Sequence, residues 1–329
     1  MIGVSLLTFA ITRMAGEPWV IYTDPNKPAS PETIEAIKEK YHLNEPEYVQ
    51  YYYWLDAALH GDLGNSKTAR MPVTQALANK FPATFELAIV ATFFAVILGI
   101  AVGTRAGVRA NSAFDQGSRV VSLIGVSIPV FWLGLLIMMV FYKGLGWFTE
   151  GWLPGPGRYD VYKYSYAHIH HYTNLITVDT LLNGKFSFFW DAVRHLIAPA
   201  LTLCFVNTAI VIRMMRSSML EVMGAEYVKT ARSKGLPENV VIRKHARRNA
   251  LIPTTTVIGL GFGGLLGGAV LTETLFNWNG LGQWAADAAR GLDSAGIMGF
   301  TLLTAIIYVL ANLIVDLVYA YLDPRVRLG

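Results

Sequence analysis

Three groups of residues in this sequence have types and spacings capable of chemistry. Residues 168–171 read His-Ile-His-His, within a segment that also holds Tyr159, Tyr162, Tyr164, Tyr166 and Tyr172. Imidazoles this close suit a metal, but Asp160 and Asp179 do not stand at diagnostic ligand spacing. The rings suit stacking on sugars or contact with another protein equally well. The second group is polar side chains inside apolar runs: Asn207, Glu273, Asn312 and Asp316. Charge is expensive in lipid, so such residues are candidates for a translocation pathway. Arg213 or Arg216, at similar depth, is expected to neutralise Asp316. The third group is a basic stretch, EYVKTARSKGLPENVVIRKHARRNALIP, at 226–253.

Catalytic motifs are missing around these groups. No G-x-x-x-x-G-K-[ST], H-E-x-x-H or G-x-S-x-G occurs, so neither a P-loop ATPase nor the familiar hydrolase patterns are encoded. Cys204 is the single cysteine and lies in an apolar run, which excludes an internal disulfide and makes a small buried hydrophobe the expected role.

The elements that position these residues follow from composition. The chain has 329 residues, 53% of them apolar and 15% charged, and a positive mean hydropathy. A bilayer core needs about 20 largely apolar residues per helix. Five runs qualify, at about 84–105, 119–143, 196–215, 252–276 and 297–321. A sixth, residues 2–15, meets Glu17 early. With no basic residue before it and no small-x-small cleavage site, it reads as a first membrane helix whose start lies upstream of Met1, not as a signal peptide. The expectation is an all-α membrane protein with six transmembrane helices.

Charge orients them. The two short loops and the tail on one face carry fourteen of the 27 basic residues against five acidic ones, fourteen less five being +9. By the positive-inside rule both termini are cytoplasmic. Topology accounts for this charge without nucleic acid. Residues 17–80 and 146–193 then fall outside. In the first, Pro25, Pro28 and Pro31 mark a loop, and Ser30 is an N-cap with Pro31 at the first helical position, so 31–41 is predicted to be a short helix in a folded cap.

The basic stretch reads as helix, turn, helix. Tyr227, Val228 and Ala231 form one stripe, Gly235 suits a left-handed C′ position, and Pro237 starts a second helix at about 237–250 that runs into the fifth span. A helix lying on anionic lipid and a helix docked on a protein fit this composition equally.

The same residues resemble the EAA loop of binding-protein-dependent ABC importers, in their dipeptide/oligopeptide branch: Tyr227, Thr230, Ala231, Arg232, Lys234, Gly235 and Leu236, then His245, Ala246, Arg248 to Pro253. Thr230-Ala231-Arg232 stands where the general loop has Glu-Ala-Ala. GDLG at 61–64, FPATFEL at 81–87, SIPV at 127–130, RHLIAPALTL at 194–203, LTETLFNWNGLGQ at 271–283 and NLIVDLVYAYLDPRVR at 312–327 extend the resemblance over nearly the whole chain. It implies a permease subunit in a prokaryotic plasma membrane, working with a second permease, two ATPase subunits that carry ATP and Mg²⁺, and an external solute-binding protein. This chain itself would hold no cofactor.

The implied domains are a first helix at 1–16, an external cap at 17–80, and a transmembrane domain at 81–325 with an external insertion at 146–193 and a coupling loop at 217–253. The Tyr/His-rich insertion would be a folded cap contacting the binding protein. ATPase coupling would fall to Tyr227, Val228, Thr230, Ala231, Arg232, Lys234, Gly235 and Leu236, with Tyr227, Ala231 and Gly235 as core contacts and Arg232 and Lys234 on the rim. The cargo is expected to be peptide, with oligosaccharide or nickel as alternatives on the same machinery. An ion-driven secondary transporter or channel is the rival of another class. Gly259, Gly263 and Gly267, with Gly264 and Gly268, predict a close helix contact within the subunit or with the second permease.

Overall fold

The computed structural model describes residues 2–15, 17–24, 29–143, 151–165 and 167–322. The loop prolines Pro25 and Pro28, Tyr166, and Asp323, Arg325 and Arg327 of the tail lie outside the described residues.

The chain is helical almost throughout. Its order is α1 (Ile2–Ala15), α2 (Pro31–Lys40), α3 (Glu47–Leu59), the paired strands β1 (Asn65–Ser66) and β2 (Met71–Pro72), α4 (Val73–Val108), α5 (Ala113–Ser127) and α6 (Val130–Met138) with a π-helical end at Met139–Lys143. Then come α7 (Val161–Tyr164), α8 (Ile176–Leu182), α9 (Phe186–Met223), α10 (Glu226–Ser233), α11 (Glu238–Val240), a π-helical turn at Val241–Ala246, α12 (Arg247–Leu266), α13 (Val270–Leu275), α14 (Leu281–Arg290) and α15 (Ser294–Leu322).

Among the described residues, four helical stretches are long and apolar enough to cross a membrane: Val73–Val108, Phe186–Met223, Glu238–Leu266 and Ser294–Ala320. The expected run at 119–143 is instead two helices, α5 and α6, bent by 100°. Ile128 is extended (φ −73°, ψ 126°) because the ring of Pro129 disfavours helix at the preceding residue. The run expected at 252–276 ends at Leu266. There Gly268 turns with φ +100°, and a Cβ on it would stand 2.9 Å from the Cα of Gly282. With 14 residues, α1 is short of a span of about 20.

Two compact units divide the chain. The first comprises Met1–Phe85, Pro156–Ala192 and Leu266–Ile307. Ile21, Val73, Ala76, Leu281, Trp284 and Ala295 form one of its cores, and Phe9 of α1 packs with Trp54 and Met298 in another. Ser30 caps α2 by accepting from Thr33 N at 3.2 Å, with Pro31 opening the helix as expected. In the Tyr/His-rich segment, Tyr164 stacks on Phe188 at 4.2 Å and Tyr159 meets its edge at 4.9 Å.

Buried carboxylates fasten the irregular segments of this unit. Asp293 Oδ2 accepts from Ser66 Oγ (2.5 Å), Thr68 N (2.9 Å) and Thr68 Oγ1 (2.7 Å), and Oδ1 accepts from Gly296 N (2.9 Å). One side chain thereby ties the β1–β2 turn to the start of α15.

The second unit comprises Glu86–Gly155, Val193–Leu265 and Tyr308–Gly329. Gly99, Gly103 and Gly107 of α4, each four residues apart, face Val211, Met215 and Met219 of α9. A Cβ on Gly103 would stand 2.7 Å from Met215 Cβ and 2.9 Å from Ile212 O. The α12 glycines expected to make a close contact do so within the subunit: a Cβ on Gly263 would lie 2.8 Å from Ala311 Cβ of α15, and one on Gly259 would collide with Val315.

Candidate functional site

The site is built from the end of α9 onward. After Met223, two residues lead into α10, and Gly235 follows it with φ +73°, as the sequence predicts for a C′ position. Its N–H donates to Arg232 O at 2.9 Å. Beyond Pro237, α11, the π-helical turn and α12 form a continuous helical run from Glu238 to Leu266.

Val228 and Ala231, three residues apart on one face of α10, are 0% and 5% exposed. They pack with Met215 and Met219 of α9 and with Val241, Ala246 and Ala250. Burying a side chain such as Val228 contributes about 1.5–3 kcal/mol. This corrects one expectation: Ala231 is a contact within the subunit, not one offered to a partner, because the small apolar face of α10 is consumed by the methionines beneath it. Tyr227 leaves the stripe it was predicted to share and is 43% exposed, as Leu236 is 37% exposed. Thr230, Arg232, Lys234 and Gly235 are exposed too. The presented surface is therefore aromatic, aliphatic and basic.

Short-range pairs stiffen the element. Arg232 Nη2 donates to Glu238 Oε1 at 2.7 Å across the Gly235 turn, and Lys229 pairs with Glu226 at 2.7 Å. Both are exposed and individually weak. The pair below is different. Asp115, at the start of α5, is fully buried and takes both arms of the Arg216 fork, Nη2 at 2.8 Å and Nε, while Asn111 N donates to it at 2.9 Å. Arg216 is thus the partner of Asp115 and not of Asp316, which corrects a second expectation: a fully buried carboxylate needs paired, hydrogen-bonded compensation, whereas Asp316 is exposed on α15.

The polar candidates do not form one group. Asn312 and Asp316 stand one turn apart on an exposed face of α15. Asn207 donates through Nδ2 to Leu203 O at 2.8 Å and lines a small cavity with Thr92 and Gly261. Glu273, in the first unit, is wholly buried: Oε1 accepts from Thr84 Oγ1 at 2.8 Å and Oε2 from Gln283 N at 3.1 Å, and Thr84 Oγ1 in turn accepts from Leu281 N at 2.8 Å. Burial pushes its carboxyl pKa up, against the hydrogen bonds from Thr84 and the backbone. It acts as a clamp on the α13–α14 connection.

Among the described residues no three His, Cys, Asp or Glu side chains gather as a metal site. His170 packs on Tyr172, with ring centroids 4.4 Å apart, and His171 Nδ1 stands 3.4 Å from Asp179 Oδ2. Among the described tyrosines of that segment, Tyr162 (97%) and Tyr172 (61%) are exposed. Sequence reasoning missed the α4 glycines, Met215, Met219 and Asp115. The first had a legible signal in their spacing of four; the others acquire their roles only through tertiary contact.

Comparison with known proteins places this geometry in context. Residues 95–328 match the family model described as binding-protein-dependent transport system inner membrane component. The chain is 41% identical over 328 residues to the probable D,D-dipeptide transport system permease protein DdpB of Escherichia coli K12, covering 99% of this chain and 94% of that one. It is 41% identical to the dipeptide transport system permease protein DppB of Alkalihalophilus pseudofirmus (99% and 95% covered) and 37% identical to the oligopeptide transport system permease protein AppB of Bacillus subtilis (99% and 95%). A chain of the inward-facing MetNI methionine ABC transporter shares the fold, with a TM-score of 0.53 at 16% identity over 76% of this chain and 97% of that one.

Proposed function

This chain belongs to the binding-protein-dependent transport system inner membrane components, and from that premise we propose that it is the permease subunit of an ATP-driven importer of peptides. The observation carrying the cargo is near-full-length identity of 37–41% to permeases named for dipeptide and oligopeptide transport. The chain is a multi-pass membrane protein and not itself the ATPase.

In this reading the machine contains a second permease, two ATPase subunits binding ATP and Mg²⁺, and an external solute-binding protein. The fourteen basic residues of the loops and tail put both termini in the cytoplasm. Segment 17–80 is an external cap, 81–325 the transmembrane core, and 146–193 an insertion that offers Tyr162 and Tyr172 to the binding protein. The loop 217–253 carries the coupling helix α10.

That helix contacts the ATPase through Tyr227, Thr230, Lys234, Gly235 and Leu236, with Arg232 at the rim. Val228 and Ala231 root it on Met215 and Met219. Displacement of α10 is then passed to α9 and α12 as a lever, because its inner face is packed on helix and not on loop. Asn207, Asn312 and Asp316 are the pathway candidates this reading retains; Glu273 serves the clamp already described.

The test is Tyr227→Ala with Leu236→Ala in the assembled importer. Membrane insertion is expected to persist while the ATPase subunits dissociate on purification and dipeptide uptake into proteoliposomes falls more than tenfold. Uptake that proceeds without ATP would overturn the importer reading in favour of a gradient-driven carrier.

A further inference from the structure

The second unit contains two cavities worth comparing. One, of 640 Å³, lies among α4, α5, α6 and α9 and is lined almost wholly by apolar groups, so nothing in it selects an occupant. The other, of 520 Å³, is a groove between the last turns of α4 and the helical run entering α12. Val96, Ile97, Ile100, Ala101, Val108 and Ile242 form its apolar wall, and Arg105, Arg109 and Arg247 stand at one end.

We infer that this groove binds an anionic phospholipid, with an acyl chain along the α4 wall and the headgroup phosphate on the three arginines. Both walls belong to stretches long and apolar enough to cross a membrane; Arg105 and Arg109 stand at the end of the first, and Arg247 opens α12 after the basic π-helical turn, where the headgroup layer falls. A groove of this size at that depth does not stay empty, since its lining would lose its dispersion contacts.

Charge names the headgroup. All three arginines are exposed, and among the described residues none of their guanidiniums makes an ion pair. The guanidinium of Arg105 lies over the Phe114 ring at 4.7 Å, a cation–π contact that leaves its charge uncompensated by any acid. No acidic residue lines the groove. The α4–α5 connection holds no carboxylate, and Asp115 in the first turn of α5 is buried and neutralised by Arg216, so it does not repel an anion. The apolar wall selects lipid over free phosphate. The inference is independent of the importer reading, since it needs only membrane insertion.

The experiment is native mass spectrometry of the detergent-purified importer after incubation with equal amounts of phosphatidylglycerol and phosphatidylcholine. The wild type is expected to retain phosphatidylglycerol in at least about fivefold excess. Arg105→Gln/Arg109→Gln/Arg247→Gln is expected to lower that excess to parity, while Arg243→Gln/Lys244→Gln, which removes two exposed cations that do not line the groove, keeps it. Should the triple variant not fold, Ile100→Trp, which fills the groove and spares the arginines, carries the same expectation. Equal retention of the two lipids by the wild type, equal loss in both charge variants, undiminished retention in Ile100→Trp, or displacement of the lipid by millimolar inorganic phosphate would overturn the assignment.

Discussion

In the first unit Asp293 gathers four hydrogen bonds from a turn some 225 residues earlier in the chain and from its own helix start, and Glu273 clamps another loop through Thr84 and Gln283 N. In the second unit α10 rests on two methionines, α4 meets α9 through three glycines, and one ion pair, Asp115–Arg216, lies beneath. The difference follows from what each unit must hold. Irregular backbone has donors that a helix would satisfy internally, and buried carboxylates accept them in number. Packed helices have no such donors, so shape decides their fit. The first unit is therefore fixed by direction, and the second by distance.

The sharpest way to break this contrast is at the one place where the second unit behaves like the first. Arg216→Met leaves Asp115 buried and unpaired and is expected to cost about 3–5 kcal/mol, visible as loss of the folded, extractable subunit in a detergent melting assay. Arg216→Met with Asp115→Leu is expected to recover most of that loss, because an apolar pair restores shape without a stranded charge. No recovery would mean that the pair sets direction here as well.

Next in size is Asp293→Ala, which strands Ser66 Oγ, Thr68 N and Gly296 N together and is expected to cost about 3 kcal/mol. Limited proteolysis should then cut near 60–72 while the rest of the subunit stays protected. Gly103→Val is the matching test of distance, expected to cost about 1–3 kcal/mol by forcing α4 from Met215 and Ile212. Because Met215 also seats α10, dipeptide uptake should drop further than stability does; a parallel loss would separate the glycine contact from coupling.

How far the sequence foretold each unit follows the same division. The Ser30 cap with α2 after it, and the Gly235 turn with α10 before it, were legible because their causes lie within a few residues. The α12 glycines announced a close contact, and the structure supplies Ala311 and Val315 as its other side. The 100° break at Ile128–Pro129 lay hidden in an apolar run that reads as one span, although Pro129 was its visible cause. The pairing of Arg216 was misassigned because Asp115 lies 101 positions away and looks like an ordinary loop acid until α5 folds over it. Which face of α10 turns inward depends likewise on Met215 and Met219, which no local pattern reveals.

The smallest effect expected concerns a third buried acid of the first unit. Asp179 accepts from Thr173 N at 2.9 Å and Thr173 Oγ1 at 2.8 Å, with His171 Nδ1 3.4 Å from its other oxygen. Burial pushes its pKa up, but these donors and Asn174 N outweigh it and hold the carboxyl below its ordinary range. A depressed folded pKa means the stabilisation is fully present above the unfolded value of about 3.9 and fades as pH falls through the folded value. Asp179→Asn keeps an acceptor for Thr173 but removes the charge, so the melting difference between wild type and variant should be small at pH 7 and shrink as pH falls below the unfolded value of about 3.9. A difference that stays constant over that range would show that Asp179 acts by shape, and would move this corner of the first unit to the rule that governs the second.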